Sequence, residues 1–160
     1  MINSPQTKGI LFENDVHKNL KFTNYTIFSE REIRNRYGSN ISGIDHLILT
    51  DDLNICIQDK YMKSKPSVSQ INHFILCVSE ISSIEKRKCI GIYLSNLPPT
   101  REASMSLKSM NDKYDNLYFL SINNSIDKLI DNLLDYLHSI NIFTYEEDGS
   151  CVMKNNDENI

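Results

Sequence analysis

Apolar residues recur along this chain with two different periods, which separate candidate helices from candidate strands. Phe12, Val16 and Leu20 are spaced four residues apart within 7–20, and Glu13 lies beside that stripe. This spacing indicates a helix with one buried face. The same period returns after Pro66, so we predict further helices over 68–81, through 103–110 and over 126–140.

Strand-like segments lie between these helices. The segment 25–37 begins with alternating apolar and polar residues and is followed by turn residues at 38–40, so we interpret it as one strand and a turn. Two more predicted strands, 41–50 and 54–61, are joined by a short acidic turn suited to a hairpin. The continuous apolar run CIGIYLSN at 89–96 is typical of a strand buried on both faces, and NLYFLSI at 116–122 predicts the last strand.

This order of elements predicts an α/β domain over 1–142, in which helices flank a mixed β-sheet. At 160 residues the chain is long enough for one hydrophobic core and too short for two ordinary domains. Residues 143–160 are rich in Asn, Asp and Glu, so we expect a polar, disordered tail there.

Composition adds expectations about compartment and thiol chemistry. No apolar run approaches the length of a membrane span, and the polar start MINSPQTKG lacks the core of a secretory signal. We therefore expect a soluble, intracellular protein without a membrane partner. The cysteines are scattered along the chain, without metal-site spacing, and are predicted to be free thiols: Cys56, Cys77, Cys89 and Cys151.

The charge of the chain is acidic overall and basic in places. A net charge of -4 argues against indiscriminate coating of nucleic acid. Cations nevertheless bracket the hairpin: Arg34 and Arg36 precede it, and Lys63 and Lys65 follow it. They are candidates for phosphate contacts, and the alternative is a solvated surface.

The hairpin itself carries the candidate chemistry. Side chains alternate along a strand, so Gln58 and Lys60 share one face while Asp59 points to the other. If the preceding strand pairs antiparallel, its early residue Asp45 lies near this strand end. A carboxylate, an amide oxygen and a lysine gathered there suit a magnesium ion beside a phosphate. Asp45 and Gln58 would hold the metal, and Lys60 would position or polarise a water molecule.

The ordered set of Gly-Ile-Asp at 43–45, an apolar strand, a turn, a second apolar strand and Gln-Asp-Lys at 58–60 resembles the PD-(D/E)xK nuclease superfamily. It is similar in particular to the Mrr-type branch, and the likeness extends over about residues 7–96. The resemblance implies a restriction-endonuclease-like fold and Mg²⁺-dependent cleavage of DNA, with Mn²⁺ as a substitute.

The resemblance also implies roles for individual residues. Asp45 would be a metal ligand, Gln58 would replace the usual second acid, and Lys60 would be the catalytic lysine. The main-chain carbonyl of Asp59 would be another ligand, and Glu13 would contribute a metal contact, directly or through water. Because Gln58 is neutral, we expect a weaker cation site until a phosphate joins.

Several alternatives remain open from the sequence. Gln70 either caps a helix with Ser67 or touches DNA. Restriction-like cleavage, Holliday-junction resolution and repair nicking are all compatible with the pattern, and a noncatalytic nucleic-acid-binding or assembly module is the alternative of a different class. Cleavage of both strands would favour a homodimer, formed through the face around Leu133 and Leu137 or through an edge strand.

Overall fold

The computed structural model describes residues 4–21, 25–145 and 151–153, with backbone only at 5, 143–145 and 151–153. The helices are α1 (Pro5–Leu20), α2 (Glu30–Tyr37), α3 (Val68–Glu85), α4 (Arg101–Lys113) and α5 (Ile126–Ser139). The strands are β1 (Thr26–Ser29), β2 (His46–Leu49), β3 (Leu53–Lys60), β4 (Lys88–Ser95), β5 (Leu117–Asn123), β6 (Phe143–Tyr145) and β7 (Cys151–Met153).

A five-stranded mixed sheet in the order β1-β2-β3-β4-β5 forms the centre of the molecule. β1, β2 and β3 pair antiparallel, whereas β3, β4 and β5 pair parallel. One sheet face packs against α2, α3 and α4, and the other packs against α1 and α5. The predicted α/β class, with helices flanking a mixed sheet, is confirmed.

The segment 25–37 corrects the sequence-based interpretation. Only Thr26–Ser29 is extended, and α2 starts immediately afterwards. Ser29 accepts a hydrogen bond from the Glu32 amide while the Glu32 side chain bonds the Ser29 amide, which together form a capping box. This reciprocal pairing satisfies orphan amides at the helix start and ends the strand. The predicted strand is therefore confirmed at 26–29, and its continuation towards residue 37 was wrong.

The apolar stripe of α5 faces the sheet. Leu129, Leu133 and Leu137 are all buried in the core beside α1. Because these side chains are already covered, the prediction that the face around Leu133 and Leu137 forms a dimer interface was wrong. None of the helices within the described part of the chain has the length and apolarity that a bilayer crossing needs.

The thiols and the last residues complete the comparison with the sequence. Cys56, Cys77 and Cys89 are buried and free, as predicted, whereas the Cys151 side chain is not described. Within the segment expected to be disordered, β6 and β7 pair antiparallel. The rest of that segment, 146–150 and 154–160, lies outside the described residues.

Gly91 on β4 has the least room for a side chain among the glycines that the structure describes. A Cβ added there would lie 2.7 Å from Phe119 Cδ1 and 3.2 Å from Phe74 Cζ, and both rings are buried. We expect Gly91→Ala to lower the free energy of unfolding by about 1–3 kcal/mol through overpacking, measured by urea denaturation. Gly9→Ala is the control, because nothing lies within 4 Å of its added Cβ and it is expected to stabilise α1 by about 0.5–1 kcal/mol. Equal effects at both positions would contradict the packing explanation.

Candidate active site

The β2–β3 hairpin brings Asp45 beside the end of β3. His46 begins β2 as the register partner of Ile57, and Asp45 directly precedes it. The Asp45 amide donates to the Ile57 carbonyl at 2.9 Å, and the Asp59 amide donates to Asp45 Oδ2 at 2.9 Å. These two bonds hold the carboxylate of Asp45 against the backbone of β3, so the strand ends converge as the pattern predicts.

A cluster of three carboxylates forms around Asp45. Glu13, Glu30 and Asp45 each offer one oxygen, and these oxygens all lie within 4.8 Å of one another. Glu13 comes from α1, Glu30 from the first turn of α2, and Asp45 from the turn before β2. The sequence analysis identified Glu13 and Asp45 and missed Glu30. The capping box at Ser29 is the signal that would have found Glu30, because it predicts a helix start there.

Burial and nearby negative charge make two of these carboxyl groups, Asp45 and Glu13, harder to ionise. Burial, followed by the charge of Asp59, raises the pKa of Asp45 to about 8, against the opposing effect of the hydrogen bond from the Asp59 amide. Burial, again followed by the charge of Asp59, also raises the pKa of Glu13. A divalent cation would oppose both shifts, since it compensates closely spaced negative charge.

Gln58 supplies a further oxygen beside the cluster. Its side chain is 6% exposed, and its Oε1 atom is fully buried with no hydrogen-bond partner among the described residues. A buried polar atom without a partner costs free energy, so this oxygen would be stabilised by a ligand that it can bind. Carboxylate oxygens together with an amide oxygen match the preferences of hard cations, and the donor set therefore fits Mg²⁺ or Mn²⁺.

Asp59 and Lys60 diverge at the end of β3. The Asp59 side chain points to the face of α1, where it is hydrogen-bonded to His46 Nε2; both side chains are buried. Burial raises the pKa of Asp59 and the charge of Lys60 opposes that shift, which places the exposed Lys60 within electrostatic reach of the site. Ligation by the Asp59 main-chain carbonyl stays a prediction.

The other predicted contacts lie in different environments. Arg34 is paired with Glu30 at 2.9 Å, whereas Arg36 is paired with Glu85 at 3.1 Å on the far end of α3. Gln70 Oε1 accepts the Ser67 amide in a capping box, so its side chain serves the start of α3. Lys63 and Lys65 are exposed on the loop that follows β3.

The side chain of Asn96 fixes that loop. Its Oδ1 accepts the Met62 amide at 2.6 Å, and its Nδ2 donates to the Met62 carbonyl at 2.9 Å. Asn96 follows β4 directly, so the loop after Lys60 is bound to the neighbouring strand end. Met62, which lies between Lys60 and Lys63, is therefore held in place by two hydrogen bonds.

Two solved structures are similar to this chain at low sequence identity. No model of a protein family matches the chain, and no curated protein matches it. Among solved structures it is similar to a repair endonuclease from Pyrococcus abyssi, with 14% identity and a TM-score of 0.43, covering 77% of this chain and 48% of that one. It is also similar to a protein of unknown function, with 9% identity and a TM-score of 0.47, covering 81% and 78%. The chain thus spans about half the length of the endonuclease.

Proposed function

We propose that this protein is a metal-dependent DNA endonuclease of the PD-(D/E)xK type, similar to the Mrr branch, which hydrolyses phosphodiester bonds with Mg²⁺ or Mn²⁺. One observation carries the proposal: the Asp45 carboxylate accepts a hydrogen bond from the peptide that joins Gln58 to Asp59, and it lies beside Glu13. Acidic and amide oxygens gathered next to a strand that ends in lysine are what phosphodiester hydrolysis requires.

In this proposal the metal is held by chain oxygens from three elements. Asp45 and Gln58 would be ligands from the hairpin, Glu13 would bind from α1 or act through water, and the Asp59 carbonyl would add a main-chain oxygen. The bound cation supplies Lewis-acid polarisation of the phosphate and a more acidic water molecule. The Asp59 amide keeps the Asp45 carboxylate oriented, because it bonds one of its oxygens at 2.9 Å.

Lys60 would act on the phosphate rather than on the metal. Its ammonium can position the attacking water and compensate the negative charge that develops on the phosphate oxygens. It is exposed at the end of β3, where a DNA backbone can approach. In this proposal water attacks the phosphorus directly, without a covalent enzyme intermediate. Arg34, Lys63 and Lys65 would contact neighbouring phosphates and orient the duplex without reading bases. Arg36 and Gln70, which are held by Glu85 and by the α3 cap, would contribute less.

The proposal is tested with the full-length chain on a panel of DNA substrates. Supercoiled plasmid, methylated duplex, four-way junction and flap are incubated with Mg²⁺, with Mn²⁺ or with EDTA, and strand breaks are counted on denaturing gels. We expect metal-dependent cleavage of at least one substrate and none in EDTA. The preferred substrate separates restriction-like, junction-resolving and repair activities. Salt-sensitive DNA binding without cleavage in either metal would overturn the proposal and favour the noncatalytic module.

Lys63 provides a separate prediction about DNA binding. Lys63→Ala is expected to weaken DNA affinity by about threefold to tenfold and to reduce the slope of log affinity against log salt by about one, since one phosphate contact is lost. Fluorescence anisotropy at several salt concentrations measures both quantities. Lys88→Ala is the matched control, because Lys88 is also exposed but lies at the other end of the sheet, paired with Leu53. Identical salt slopes for the two variants would contradict the assignment.

A further inference from the structure

We propose that Glu30 is a metal ligand that supplies the negative charge missing from Gln58, so that α2 completes the cation site. This assignment rests on the proposed metal-dependent function and extends it to a residue outside the Gly-Ile-Asp and Gln-Asp-Lys pattern. The usual second acid of such sites stands on the strand that carries the lysine. In this chain that position is an amide, and the third carboxylate of the cluster comes from another element.

The position of Glu30 is determined by the fold. Ser29 ends β1 and caps α2, which makes Glu30 the first helical residue. β1 pairs with β2 so that Ser29 lies opposite His46, the residue after Asp45. The start of α2 is therefore held next to the start of β2, and the Glu30 carboxylate reaches within 4.8 Å of the oxygens of Asp45 and Glu13.

Gln58 gives the independent observation that points to a ligand. Its Oε1 is buried and has no hydrogen-bond partner in the described part of the chain, and the peptide that joins Gln58 to Asp59 donates to the Asp45 carboxylate. A cation ligated by this oxygen would satisfy it, but an amide oxygen contributes no charge. With Glu30 included, the site holds three carboxylates and regains the charge that the Gln58 position lacks.

Arg34 couples this ligand to the substrate. Its guanidinium lies 2.9 Å from Glu30 Oε1, one helical turn along α2, and its side chain is 46% exposed. A cation that draws the Glu30 carboxylate inward would weaken the pair and leave the guanidinium for a DNA phosphate, which it can bind bidentately. Metal and DNA are thus expected to bind with positive coupling through Glu30 and Arg34.

The test measures Mn²⁺ affinity in the absence of DNA, by electron paramagnetic resonance of the free ion. Glu30→Gln keeps the shape of the side chain and is expected to weaken Mn²⁺ binding at least about tenfold. Adding Gln58→Glu to that variant is expected to restore affinity to within about threefold, because charge is returned to the site from β3. Glu80→Gln, the same change on the exposed surface of α3, should leave Mn²⁺ affinity unchanged.

Each outcome decides the assignment. If the wild type binds Mn²⁺ and Glu30→Gln binds it with the same affinity, Glu30 is not a ligand. That result would leave the nuclease proposal standing. Loss in Glu30→Gln with recovery in the folded double variant supports it even if the protein cuts no DNA, a result that would overturn the nuclease proposal alone. Should the double variant not fold, Glu30→Asp replaces it. Glu30→Asp keeps the charge, and an affinity no better than that of Glu30→Gln would overturn the assignment.

Discussion

Asp45→Asn is expected to abolish Mn²⁺ binding and to lower DNA cleavage by about 10³-fold, while the fold is retained. The amide oxygen of the substituted side chain can still accept the Asp59 amide, so the geometry at the end of β3 is preserved, and only the charge is lost. At pH 9 the metal-free variant should be more stable than the wild type by about 1–3 kcal/mol, because an ionised carboxylate is no longer buried. Function and stability therefore change in opposite directions.

Two further variants make this result specific. Asp52→Asn, in the exposed turn between β2 and β3, is the matched control and should change neither cleavage nor stability measurably. Lys60→Ala should lose cleavage but keep Mn²⁺ binding, since an ammonium group is not a metal ligand. If Asp45→Asn cleaves DNA at the wild-type rate, Asp45 has no role in catalysis and the proposed site is wrong.

The stability of the metal-free protein is expected to fall by about 2 kcal/mol between pH 6.5 and pH 8, since one pKa unit corresponds to about 1.4 kcal/mol. Burial raises the pKa of Asp45 from 3.8 to about 8, so in this window the folded state binds a proton that the unfolded state has released. Stability gained from that proton is lost as the pH rises through about 8. Below pH 6.5 His46 opposes this trend. Burial lowers its pKa from the ordinary value of 6.5, so the unfolded state binds a proton there that the folded state does not, and this contribution to stability falls as the pH falls.

Mn²⁺ is expected to remove this dependence on pH, because the metal-bound folded state, like the unfolded state, holds no proton on Asp45. The cation competes with the proton on Asp45, so its apparent affinity should rise about tenfold per pH unit up to pH 8 and then become constant. Thermal and urea denaturation with and without Mn²⁺ measure the two slopes. The Asp45→Asn variant should show no effect of Mn²⁺ and a smaller metal-free slope, which remains because burial also raises the pKa of Asp59 to about 7. A stability that rises with pH in the metal-free wild type between pH 6.5 and pH 8 would contradict the raised pKa of Asp45.

The sequence was sufficient for the strands that carry the site because their buried apolar runs are continuous and are bounded by turn residues. The continuous apolar run of β4 and the hairpin at 51–54 fixed the order of elements, and strand alternation separated Gln58 from Asp59. The sequence was insufficient at α2. Ile33 is the only fully buried residue of that helix, so its apolar residues do not recur at the spacing that predicts a helix. The start of α2 depends on a local capping box, so the prediction of a strand also concealed Glu30.

Partners across elements were harder to predict than positions along one strand. The sequence separated Asp59 from Gln58, but it did not identify His46 as its partner, because the two residues are diagonal neighbours that meet only in the observed register. In the same way, Arg34 was recognised as a surface cation, whereas its pairing with Glu30 needed α2 to exist.

The buried pair of His46 and Asp59 has a consequence for how the hairpin finds its alignment. Shifting β2 by one residue against β3 would turn His46 to the opposite face and leave the Asp59 carboxylate alone among the isoleucines of the α1 side. A buried carboxyl group without a partner costs free energy whether it is ionised or protonated, so the slipped hairpin is disfavoured. The pair therefore favours a single register of β2 against β3. Because Asp45 directly precedes His46, that register also determines where Asp45 lies.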